Sequence, residues 1–200
     1  MGDFLRYFLP IYLAAFFLIA FVGRSYLVWK RTGINPYVVG KSKRPIDFIE
    51  TYYRIPLVVI LLLTLAFSFV PRIYQYATPI PWLEVFAVQF GGVVIMLLAL
   101  IWTATAQVQM GASWRIGIDA EHKTKLVEKG LFAVSRNPIF LGMRLALFGF
   151  FLALPSAISL AMIVMADLLM QTQVRLEEEF LTREHGQKYT EFCSRVRRWI

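Results

Sequence analysis

The stretch RNPIFLGMRLALFGFFLALPS, Arg136 to Ser156, decides how this chain is read. A polar, turn-prone Arg136-Asn137-Pro138 stands directly against a long apolar run. That run ends at Leu154-Pro155-Ser156, and a second one follows at once. Three residues are too few for a loop, so the runs at about 139–154 and 157–173 form a helical hairpin. A water-facing turn accounts for the Arg-Asn-Pro step, and a membrane wall accounts for what comes after it. A site at the boundary between the two needs both.

The whole chain agrees with a membrane reading. Of its 200 residues 58% are hydrophobic and 17% charged, whereas soluble domains carry roughly a quarter charged residues. Apolar runs near 8–29, 55–76 and 83–108 reach the ~20 residues that cross a bilayer core. With the hairpin they predict an all-α polytopic protein of about five transmembrane helices, the fourth of them short. The first run is expected to be retained. Its front end, MGDFLRYFLP, lacks a basic cluster, and the run exceeds the ~7–15 residues of a signal core. The single cysteine, Cys193, excludes an internal disulfide or a cysteine-rich metal site.

Charge orients the helices. The first loop is read as carrying Arg24, Lys30, Arg31, Lys41, Lys43, Arg44 and Arg54; Arg115, Lys123, Lys125, Lys129 and Arg136 follow the third run; Arg175, Arg183, Lys188, Arg195, Arg197 and Arg198 fill the tail. The other side keeps Arg6 and Arg72. The positive-inside rule then places the N-terminus outside and the C-terminus in the cytoplasm, in the inner membrane if the cell is prokaryotic. The net charge of +8 is mostly a topology signal and favours anionic headgroups over nucleic acid.

Two cytoplasmic segments, 109–138 and 174–200, flank the hairpin and meet at its mouth. Pro138 suits the first turn of helix 4, where its missing N–H costs nothing, and Asn137 is the matching N-cap. A helix start of this kind also attracts an anion. In the tail, Leu176, Phe180 and Leu181 share a helix face, Gly186 ends that helix, and Tyr189, Phe192 and Val196 line the next. Such a pair lies amphipathically on a membrane. Glu177-Glu178-Glu179 begins near the interface, where a carboxylate is either solvated or held by a cation or hydrogen-bond donor. Gln107 and Gln109 stand at the end of helix 3. Arg144, inside helix 4, is open to a functional role or to snorkelling. His122 and His185 are solitary, without metal-ligand spacing, and no phosphate-binding loop, dinucleotide fingerprint or nucleophile elbow occurs.

The order KLVEKGLFAVSRNPIFLG, hairpin, EEEFLTREHGQKYTEF resembles the integral-membrane methyltransferase superfamily of isoprenylcysteine carboxyl methyltransferases and phospholipid methyltransferases. Its L-V-x-x-G-x-[YF] and R-[HN]-P-x-[YF]-x-G patterns fall on Leu126, Val127, Gly130 and Phe132, then Arg136, Asn137, Pro138, Phe140 and Gly142. Its second half falls on Glu177, Glu178, Leu181, His185, Gly186, Tyr189 and Phe192. The match covers about 109–199. It implies an S-adenosylmethionine enzyme with an all-helical cofactor pocket and a lipophilic substrate. It divides the chain into a three-helix region, 1–108, and a cofactor-binding region, 109–200. Carried over, Thr124, Lys125, Leu126, Val127 and Phe132 line the cofactor. Arg136, Asn137, Pro138, Ile139 and Phe140 form the turn against it, and Glu177 or Glu178 anchors it.

Two positions depart from the isoprenylcysteine branch. Asn137 replaces its histidine, and Gln173 stands where that branch has an arginine suited to a substrate carboxylate. Gln173, Arg144 and Arg175 are therefore the candidate substrate residues, and the acceptor is open between carboxylate, amine and thiol. A membrane reductase using NADPH has a similar Arg-x-Pro turn, but such sterol reductases are longer, with about ten spans. A non-catalytic membrane scaffold leaves the interfacial glutamates without a task.

Overall fold

The computed structural model describes residues 1–38, 51–117 and 124–200. Lys41, Lys43, Arg44, His122 and Lys123 lie outside them. The described residues are helical, joined by isolated bridges rather than strands. The helices are α1, Gly2–Thr32, with a π-turn at Leu18–Gly23; α2, Arg54–Phe69; α3, Phe86–Met110; α4, Pro138–Ala153; α5, Ala157–His185; and α6, Gln187–Arg195.

Three helices are long and apolar enough to cross a bilayer: α1, α3 with its extension to Ser113, and α5. The other two apolar helices, α2 and α4, have 16 residues each, about 24 Å at ~1.5 Å per residue against a ~30 Å core. The run expected at 55–76 breaks at Val70, whose φ of −134° leaves the helix just before Pro71. Proline lacks the N–H that would continue the ladder and bars its predecessor from helical geometry. In contrast, the expected span end at 173 is absent. Nothing breaks the chain there, and α5 runs on to His185, where Gly186 at φ +55° ends it as its sequence position implied.

The surface profile is that of a protein solvated by lipid. Leu61, Leu62, Leu97, Leu98, Ile101, Val164 and Leu168 are exposed, while Thr64, Gln89, Thr103, Gln107 and Gln173 are buried. Hydrocarbon welcomes the first set and excludes the second.

Glycines set the closest helix pair. A Cβ on Gly92 of α3 would lie 2.6 Å from the Gly149 oxygen, and one on Gly149 of α4 would lie 2.7 Å from the Gly92 oxygen. About two turns nearer the site, Gly142 packs directly on Thr103 and Trp102. Small residues let two backbones touch where lipid offers no hydrophobic drive for association. Trp102 also donates its indole N–H to the Pro138 carbonyl, 2.9 Å away, fixing where α4 begins.

At the far end the hairpin turn is closed by hydrogen bonds. Ser156 and Ser159 form a reciprocal capping box at the start of α5. Ile80 donates to the Pro155 carbonyl and Ala157 to that of Thr78. One apolar core joins Leu5, Leu9, Ile60 and Met96 to Phe150, Ala153 and Leu154, so it draws on both sides of position 108.

Candidate active site

Short polar segments assemble at the loop end of the helices. Pro36 and Ile116 pair their backbones, Ile116 N–H to the Pro36 carbonyl at 2.8 Å, tying the loop after α1 to the loop after α3. Gly130 adopts φ +66° and sits directly against the Gln109 side chain, where any larger residue would collide. The Leu131 N–H donates to Gln109 Oε1 at 2.7 Å. Gln109 thus shapes the turn that delivers Phe132; the clue in the sequence was the glycine, not the glutamine.

These segments and the helices enclose a cavity of about 610 Å³. Thr124, Lys125, Leu126, Val127, Phe132, Arg136, Asn137, Pro138, Ile139, Phe140 and Glu177 all line it, with Gln173, Arg54, Trp114 and Arg115. Its other end is apolar, walled by Phe16 and Phe17 of α1, Leu57 and Ile60 of α2, and Leu147 and Phe150 of α4. Polar groups and an apolar wall therefore share one cavity.

The two central glutamates separate. Glu177 lines the cavity and accepts from Gln173 Nε2 at 3.0 Å. Glu178 lies outside the lining and is gripped by Arg136 at 3.0 Å and by Arg198 at 2.7 Å. Hydrogen bonding to Glu178 lifts the Arg198 guanidinium above its ordinary value, with burial opposing. Burial, then the charge of Glu178, pushes the Tyr189 hydroxyl up.

Asn137 occupies the N-cap position of α4, but its side chain does not cap. Its amide donates instead to the Arg198 carbonyl at 3.4 Å, and the Arg136 N–H donates to the Arg197 carbonyl at 3.0 Å. Residues 197–198 thus strap the Arg-Asn-Pro turn, a long-range contact that no local pattern announces. Arg144 and Arg175 do not line the cavity. Arg144 pairs with Asp167 of α5 and stacks on the Trp199 ring, 4.4 Å from its centroid. Arg175 is exposed.

Residues 87–188, half of the chain, match the family model of phospholipid methyltransferases. The chain belongs to the phospholipid methyltransferase family. No curated protein matches it. The match begins in α3 and ends in α6, so it takes in the glycine-packed α3–α4 pair, the Arg-Asn-Pro turn and both glutamates. This phospholipid methyltransferase family member is an integral membrane protein whose three longest helices are each sufficient to cross a bilayer.

Proposed function

We propose that the protein transfers the methyl group of S-adenosylmethionine to an amine carried by a membrane lipid headgroup. The observation that carries this reading is the continuity of the cavity, polar and motif-lined at the loop end, apolar between α1, α2 and α4.

The lining suits the cofactor. Glu177 offers an anion to an ammonium or a ribose hydroxyl, and Lys125 and Arg115 offer cations to a carboxylate. The start of α4 adds helix N–H groups that favour an anion. Phe132 and Phe140 present faces on which adenine packs or toward which a sulfonium turns. When bound, S-adenosylmethionine supplies an already activated methyl group. The protein's contribution is then position and exclusion of water rather than a covalent intermediate.

The lining also bears on the acceptor. Gln173 is buried, and its amide donates to Glu177. The place suited to a carboxylate-holding arginine thus carries no cation, and the neighbouring carboxylate repels a second one. Arg54 on the same cavity suits a lipid phosphate. The apolar end takes the acyl chains. By charge bias the loop end faces the cytoplasm.

Purified protein in nanodiscs, given radiolabelled S-adenosylmethionine, tests this reading. We expect saturable binding of S-adenosylmethionine in preference to NADPH, and label transfer to phosphatidylethanolamine but little to a prenylcysteine analogue. Preferential NADPH binding, or efficient prenylcysteine methylation, overturns it.

A further inference from the structure

We propose that Gln107 binds the methyl acceptor, its side-chain oxygen taking a hydrogen bond from an N–H of the amine. The inference rests on the reading of the cavity as a methyl-transfer site, and it assigns a role to a residue outside the family's motifs.

The argument begins in α1. A π-turn such as Leu18–Gly23 inserts a residue into the helical ladder and leaves a backbone carbonyl to be satisfied from elsewhere. Ala20 lies inside that turn and is fully buried, and its carbonyl accepts from Gln107 Nε2 of α3 at 2.9 Å. A carbonyl only accepts, so this bond decides which end of the amide faces α1. The oxygen is turned the other way.

Gln107 is 2% exposed and lines the cavity. No described residue donates to its oxygen, and that oxygen is not sealed among the occluded side-chain atoms, unlike the oxygen of Gln173. It is an acceptor without a donor, held on the wall of a cavity beside Phe17, Phe21 and Met110. Leaving such an acceptor unmatched away from water is unfavourable, and a matched hydrogen bond gains strength in apolar surroundings. The structural task at Ala20 uses the nitrogen alone. The oxygen is surplus to it, and an N–H of the acceptor is the group that completes it. An acceptor on this wall suits an amine, which has an N–H to donate, rather than an ionised carboxylate, which has none.

Two variants separate the oxygen from the nitrogen. Gln107→Met and Gln107→Glu both lose the donor to Ala20, but only glutamate keeps an oxygen for the acceptor. Each is assayed in nanodiscs for S-adenosylmethionine affinity, thermal stability, and kcat/KM with phosphatidylethanolamine vesicles. We expect both to melt lower by a similar amount and to keep cofactor affinity within about twofold. Gln107→Met should lose about 10- to 100-fold in kcat/KM, with Gln107→Glu retaining several-fold more, as loss of one buried hydrogen bond implies. Equal kcat/KM in the two variants, with active unmodified protein, overturns the role of Gln107 alone. A loss of cofactor affinity matching the loss of rate also overturns it and assigns the oxygen to the cofactor. Failure of the unmodified protein to methylate any amine lipid overturns the functional reading and this inference together.

Discussion

Arg198 grips Glu178 through two nitrogens, Nε at 3.1 Å and Nη2 at 2.7 Å from Oε2, while Arg136 reaches Oε1 at 3.0 Å from the other side. One carboxylate, 13% exposed, therefore joins the tail to the Arg-Asn-Pro turn. Its neighbour Glu177 faces the cavity. The two glutamates should fail differently. Glu178→Ala leaves two guanidinium groups without their anion, which costs about 3 kcal/mol of stability; a melting temperature lower by several degrees checks it. Glu177→Ala should melt near the unmodified protein but bind S-adenosylmethionine about 10- to 100-fold more weakly, the loss of one charge-assisted hydrogen bond. Identical melting and binding profiles for the two variants would remove the distinction.

The α3–α4 contact leaves no room for a side chain at Gly149, since a Cβ there meets the Gly92 carbonyl and the Met96 backbone. Gly149→Val should separate the helices and destabilise the protein by about 1–3 kcal/mol or more. Gly91, with open space around it, is the control, and Gly91→Ala should be near neutral. Thermal unfolding in detergent measures both, and a stable Gly149→Val protein would contradict the packing.

Topology is testable with single cysteines in a Cys193→Ser background. Ala77, an obvious loop position, is buried, whereas Tyr76 is 86% exposed. The charge bias predicts that Gly33→Cys reacts only with reagents that enter the cytoplasm, and that Tyr76→Cys reacts with impermeant ones. The reverse pattern would invert the orientation.

Arg144 is occupied by Asp167 and Trp199 rather than directed at the cavity. Replacing Asp167 alone, as Asp167→Leu, strands a cation in the hairpin and should destabilise it more than the double change Arg144→Leu with Asp167→Leu. Methyl transfer by the folded double variant should stay within several-fold of the unmodified protein. A large loss of kcat/KM without loss of stability would return Arg144 to the substrate site.

Much of this was legible in the chain. Apolar runs are constrained by bilayer thickness, so each of the five expected runs is helical, although α2 stops early at Phe69 and α5 runs on to His185, and Leu154-Pro155-Ser156 turns the hairpin because a proline and a capping serine cannot continue a helix. Gly130 and Gly186 sit at positive φ, as glycines punctuating motifs should. Pro71 carried the signal for the break before it, but the reading of 55–76 as one apolar run passed over it.

What the tertiary structure alone decided are the matters of facing and long reach. Glycines at 92 and 149 lie on different helices, and their spacing says nothing of which surface meets which. Asn137 carries the right side chain for a cap, yet a carbonyl 61 residues away takes it. Gln107 meets Ala20 across 87 positions. Glu177 and Glu178 are adjacent in sequence, but successive helical residues point about 100° apart. Which of them looks into the cavity and which into the strap is set by the rotation of α5, and that rotation is fixed by what α5 packs against, not by the residues themselves.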